Sequence, residues 1–270
     1  MGEFFREIKK HLLLYLLFAK SSLIAQLEYR ANFFITIGVE TCYLFSKLLY
    51  VIVVFQLGVR IKGWTPDAIL LFIGTFVLIT AFYTLFFMQN FFNLPRHIRE
   101  GTLDMYIVKP VSLQFIATLR QVEFAVPIPN VIGGTVMVVI AWNRLDIAAS
   151  FGNIAGYLGI IASGVIVSYA IYLMPQILSF WIVKTGALVE IADKGWDFNN
   201  MPMAIYSKWI QRVGMFVIPI FAIFNLPPMF LLKQLNTAYA LWIFAAPAIF
   251  LFLNRKFWSF AVKHYSSASS

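Results

Sequence analysis

The sequence predicts an all-α integral membrane protein with about six transmembrane helices, and three observations predict it. Hydrophobic residues make up 61% of the 270-residue chain and charged residues 12%, with a mean hydropathy of +0.80. That leaves too little polar surface to coat a water-soluble globule. Charge-poor runs of roughly 18 to 25 residues recur, the length of helix that crosses about 30 Å of hydrocarbon. The runs are apolar all round, without the in-out alternation of a membrane β-barrel. The net charge of +9 is spread between these spans instead of forming one basic tract with interleaved aromatics, so it reads as a topology signal and not as a nucleic-acid surface. Cys42 is the only cysteine, which rules out an intrachain disulfide and a Cys-rich metal site.

Residues 1–30 come first. Arg6, Lys9 and Lys10 before Leu12–Ala19 imitate a signal peptide, but the apolar run is short and Leu17 with Ala19 makes a poor cleavage pair. The segment predicts a helix over 3–27 with Phe5, Ile8, Leu12 and Leu16 on one side, an amphipathic helix lying on the membrane surface. The first span covers 31–58 and stops at Arg60, Lys62 and Gly63. The second covers 68–92 and carries no ionisable side chain except tyrosine. Residues 93–112, between Pro95 and Pro110, are too charged for lipid and lie outside the bilayer. The third span, 113–142, starts with Arg120 and Glu123 one turn apart as a helix-start pair and is bent by Pro127 and Pro129. The fourth begins near Phe151, with Gly152, Gly156, Ala155, Gly159 and Ser163 at four-residue spacings that permit close helix packing. Two arrangements fit 177–232. Either 213–232 crosses the bilayer, or a polar-faced helix over about 177–200 crosses and the segment broken by Pro219, Pro227 and Pro228 is re-entrant. In the second, Glu190, Asp193, Lys194 and Asp197 enter the membrane; in the first they are a solvated loop. The last span is 237–254. The whole chain, 1–270, reads as a single transmembrane domain.

Orientation follows from Lys and Arg. The N-terminal segment has five, 93–112 three, 184–212 four and the C-terminal end three, against Arg60, Lys62, Arg144 and Lys233 on the other side. The positive-inside rule then puts both termini and 93–112 in the cytoplasm of a multi-pass cell-membrane protein, in a bacterial plasma membrane.

Motifs for chemistry are absent. No GxxxxGK[ST] cradle exists, so the chain does not hydrolyse ATP itself, and no HExxH or GxSxG is found. No catalytic residue, metal ligand or cofactor is expected in this chain. His11, His97 and His264 all fall at the cytoplasmic boundary. A charge inside a span costs about 2.5 to 3.5 kcal/mol at mid-membrane on insertion scales, which singles out Glu40 and Lys47. Seven residues apart on one helix face, with Thr36 and Tyr43, they form a polar stripe that faces a translocation path or a partner subunit, or is neutralised within the bundle.

At NLPRHIREGTLDMYIVKPVSLQF the sequence resembles the membrane subunits of ABC-2 type exporters, which carry R-x-G-x-L-D-x-x-L-x-x-P after the second span. Arg99, Gly101, Leu103, Asp104, Ile107 and Pro110 match it. A second block, 202–232, is similar through Tyr206, Trp209, Pro219 and Pro228. The resemblance implies six helices per subunit, an amphipathic N-terminal helix, re-entrant helices before the last span, and a coupling helix that docks on a separate ABC ATPase subunit carrying ATP and Mg. It also implies a permease dimer, with a copy of this chain or with a second permease. A short rigid element must carry the ATPase motion, and 94–104 suits it, with Arg96, Arg99, Glu100 and Asp104 as charged rim contacts around Gly101 and with Ile98 and Leu103 filling a groove. The expected function is permease subunit of an ATP-driven exporter, its substrate open among amphipathic drugs, peptides and lipids. The alternatives are a secondary transporter or channel, which would often show an inverted repeat, and a lipid-modifying enzyme, which would gather His, Asp or Ser at one depth.

Overall fold

A computed structural model describes residues 2–56, 63–182, 190, 194–196 and 198–265. Arg60, Lys62, Asp193 and Asp197 lie outside the described residues. All regular structure among the described residues is helical: α1 Gly2–Glu28, α2 Arg30–Gln56, α3 Pro66–Tyr83, α4 Gln89–Arg99, α5 Asp104–Ile107, α6 Leu113–Leu119, α7 Pro127–Arg144, α8 Phe151–Ile177, α9 Lys208–Arg212, α10 Ile220–Leu231 and α11 Thr237–Lys263. Among the described residues four helices are long and apolar enough to cross a membrane, Arg30–Val53, Pro66–Arg99, Phe151–Phe180 and Thr237–Lys263, and a bent pair, Lys208–Val217 with Ile220–Leu231, makes a fifth if it is one span.

Three of them start on side-chain caps. Thr65 accepts from the Ala68 amide with Pro66 as first helical residue, Ser150 accepts from Asn153, and Asn236 accepts from Tyr239. These residues satisfy amides that a helix start leaves unpaired. The Thr65 cap shares its end of the bundle with the Arg144–Asp67 ion pair at 3.6 Å.

Helix α3 is the centre, buried almost continuously from Ala68 to Ile79. Since apolar burial supplies no driving force in lipid, helices associate through close packing and interhelical hydrogen bonds. Both occur. A Cβ on Gly164 of α8 would come within 2.7 Å of the Ile223 carbonyl oxygen of α10, and one on Gly74 of α3 within 3.0 Å of the Val138 amide of α7. Ser163 donates to the Ile243 carbonyl at 2.6 Å and Asn254 to the Ala170 carbonyl at 3.0 Å, fastening α11 to α8. Of the small residues predicted to make close contacts in α8, Gly156 sits under Phe230, whereas Gly152 and Gly159 face open space.

The third span departs from expectation. Helix α6 stops at Leu119, residues 121–124 are extended, and α7 restarts at Pro127. Arg120 and Glu123 are therefore not a helix-start pair: Arg120 donates to the Tyr106 hydroxyl at 2.8 Å, and Glu123 accepts from the Ala125 amide at 3.0 Å. Proline at 127 and 129 withholds two amide donors, and the chain upstream leaves the helix.

The described parts of 177–232 lie at both ends of the bundle. Phe180 packs on Trp258 and Tyr265 at one end of the bundle. Met203, Tyr206 and Lys208 share a cavity with Trp64 at the other end. Helix α9 with its π turn Val213–Val217 then meets α10 at a 99° bend. Along α8, Ile223 sits at Gly164 and Phe230 at Gly156, so α10 climbs from mid-bundle back to the Trp64 end. Lys208 thus lies at that end with Arg212 one turn beyond it.

Candidate functional site

Two regions could carry function. The first is the turn after α4. Gly101 adopts φ +69°, a left-handed conformation natural to glycine, and ends the helix; the Leu103 amide then returns to the His97 carbonyl at 3.1 Å. His97 Nδ1 hydrogen-bonds the Thr102 hydroxyl at 2.8 Å. Arg120 lies over the Tyr106 ring at 5.2 Å while donating to its hydroxyl. The Tyr265 hydroxyl is buried beside the Asp104 carboxylate, and its pKa is pushed up to about 12, first by burial and then by that charge. The turn is therefore braced from within.

Its predicted residues divide. Arg96, Arg99 and Glu100 are exposed and make no ion pair among the described residues, while Gly101 and Asp104 are half-buried. Ile98 and Leu103, expected to fill a partner's groove, are instead buried in the chain's own core, at 8% and 0% exposure. Burying two apolar side chains inward is what anchors a short turn. The apolar side chains left outside are Met105, Ile107 and Val108.

The second region runs along α2. Only 6% of the apolar stretch of this helix is buried, so it stands on the flank of the bundle. Thr36 and Glu40 line a cavity of about 760 Å³ enclosed by the α1–α2 junction, the π turn Thr84–Met88 and residues 121–126. Glu40 accepts from Asn130 at 2.6 Å. Lys47 donates to Asn200 at 2.6 Å and lies 5.1 Å from the Phe76 ring centroid. Tyr43 is 64% exposed and points away from the bundle. The stripe is thus split: Thr36 and Glu40 face the cavity, Lys47 is held by the bundle, and Tyr43 faces outward.

The cavity wall at 121–125 is backbone out of helix, and each of its amides is satisfied. Gln121 exchanges two bonds with the Asn90 side chain, at 2.8 and 2.7 Å. The Val122 amide goes to Ser22 and its carbonyl to Gln26, which also accepts from Phe124 at 3.0 Å. The Glu123 amide reaches the Leu85 carbonyl at 3.0 Å. Leu85 lies in the π turn, where the helical ladder is displaced, and its carbonyl receives this bond from outside the helix. Irregular backbone at membrane depth is tolerated where protein satisfies it or where it lines a cavity, and here both hold. Sequence reasoning missed Gln26, Asn90 and Gln121; three amides within otherwise apolar or broken segments were the available signal.

The bundle, its bare flank and its braced terminal turn define a multi-pass helical membrane transport protein. A family model described as ABC-2 family transporter protein matches residues 41–269, and the chain belongs to that family. Neither the comparison with curated proteins nor that with solved structures gave a match. The chain is accordingly a permease component of an ABC transporter.

Proposed function

We propose that this chain is one permease half of an ATP-driven exporter, with six spans: α2, α3 with α4, α6 with α7, α8, the polar-faced segment expected over about 177–200, which lies partly outside the described residues, and α11. Both termini and the 94–108 turn face the cytoplasm. The five cations of the N-terminal segment, three of 93–112 and three of the C-terminal end outnumber Arg144, Lys208, Arg212 and Lys233, the described cations at the Trp64 end. Helix α1 lies in the interface, since its stripe of Phe5, Ile8, Leu12 and Leu16 remains exposed. The partners are ABC ATPase subunits, which carry ATP and Mg, and a second permease docked on the bare flank of α2.

The observation that carries this reading is the turn itself. A transmitted motion needs a stiff lever, and Arg96, Arg99, Glu100, Met105, Ile107 and Val108 offer a charged rim around apolar contacts on a turn fixed by its own core. The test is purification of the tagged chain from its host in mild detergent, with identification of copurifying proteins and assay of vanadate-sensitive ATP hydrolysis. A stoichiometric ATPase subunit is the expected result; a lone chain without ATPase activity refutes the exporter reading.

A further inference from the structure

The cavity beside α2 continues into a second one of about 370 Å³, and the two share Glu40, Thr84, Met88, Phe92 and Val126. The inner cavity ends against three rings in mutual contact: Tyr83 and Trp196 with centroids 4.4 Å apart, Tyr172 and Trp196 at 4.9 Å, and Tyr83 and Tyr172 at 5.4 Å. Gln176 lines the same end. It is 2% exposed, and its side-chain oxygen is buried without a hydrogen-bond donor among the described residues.

Charge along this path has one sign. Glu40 and Glu123 line it and, among the described residues, no Lys or Arg does, in a chain with 21 Lys and Arg against 12 Asp and Glu. Glu40 stands at the junction of the two cavities with one carboxylate oxygen on Asn130. A carboxylate, an unpaired carbonyl acceptor and electron-rich ring faces are the features that hold an organic cation with an apolar body. An anion would meet two carboxylates and no donor of positive charge. A small hydrated metal ion would make no use of the rings, and no group of three or more His, Cys, Asp or Glu among the described residues suits one.

We propose that this double cavity is the substrate site of the permease and that it takes monovalent organic cations of amphiphilic or aromatic character, with Glu40 as the counter-charge and Trp196, Tyr83 and Tyr172 as the cage. The proposal rests on the transport reading for its role as substrate site, but the binding itself does not need the ATPase.

The test is equilibrium binding of tetraphenylphosphonium and, separately, of tetraphenylborate, two ions of one shape and opposite charge, to the full-length chain in lipid nanodiscs with whatever partners copurify. Saturable binding of the cation alone is expected, weakened at least about tenfold in Glu40→Gln, which keeps an oxygen for Asn130, and again in Trp196→Leu. Gln176→Leu, which breaks no recorded side-chain bond, should weaken it too. Equal saturable binding of both ions overturns the proposal, as does unchanged cation affinity in well-folded Glu40→Gln and Trp196→Leu. Absence of an ATPase subunit from the purification would refute the exporter reading and leave this measurement intact.

Discussion

Asn90 holds both polar groups of the Gln121 peptide with one side chain. Replacing it by leucine strands a buried amide and a buried carbonyl, each costing about 1 to 3 kcal/mol. Asn90→Leu should therefore lower the thermal unfolding midpoint of the detergent-solubilised protein clearly, and Asn90→Asp, which keeps the acceptor, less so; equal midpoints for all three would show the wall at 121–125 to be held otherwise. Tyr265, just beyond the end of α11, tests the brace of the turn after α4. Its pKa is raised to about 12 from an ordinary 10.0, so the folded state favours the neutral phenol. The contribution is complete below pH 10.0 and fades as pH rises through about 12. The destabilisation caused by Tyr265→Phe should accordingly be constant between about pH 6 and 9; a difference that changed within that range would contradict the assignment. The two kinds of residue differ in legibility. Glu40 and Lys47 stood out in the sequence because an ion in an apolar run is costly, and the structure gives each a polar partner. Asn90, Gln26 and Gln121 carry no charge and passed unremarked, although they hold the cavity wall.

Among the elements, the apolar runs placed the helix starts at 68, 151 and 237 to within a few residues, and the cap chemistry of Thr65 with Pro66, Ser150 and Asn236 fixes them in the structure. The break between α6 and α7 was not legible, because Arg120 and Glu123 at a three-residue spacing suit a continuous helix equally well, and only tertiary partners decide. The bent α9–α10 arm fits either of the two arrangements read from the sequence, its three prolines being compatible with both. Its packing turns on Gly164, where any side chain would run into the Ile223 carbonyl of α10. Gly164→Leu should abolish the fold of this arm, and Gly164→Ala should cost about 1 to 3 kcal/mol as overpacking, read as a lowered unfolding midpoint. Gly159→Ala, at a position with nothing within 4 Å, is the control and should leave it unchanged.

For the whole molecule, the arm and the turn lie at opposite ends, and this sets the topology to be tested. In a Cys42→Ser background, needed because Cys42 is exposed on α2, Lys208→Cys should react with a membrane-impermeant maleimide in intact cells, and Glu100→Cys only after permeabilisation. Labelling of both from the same side would contradict the six-span arrangement. Composition and span lengths made the membrane class plain from the sequence, but not which end of 184–212 faces which side, since charge counting treats a returning arm and a loop alike. The π turn at Thr84–Met88 carries one further consequence. It displaces the helical ladder between the membrane part of α3 and the turn beyond α4, and so frees the Leu85 carbonyl for the Glu123 amide. A one-residue deletion there would restore an unbroken α-helical ladder and return that carbonyl to it, so the cavity wall at 121–125 hangs on a single extra residue midway along one helix.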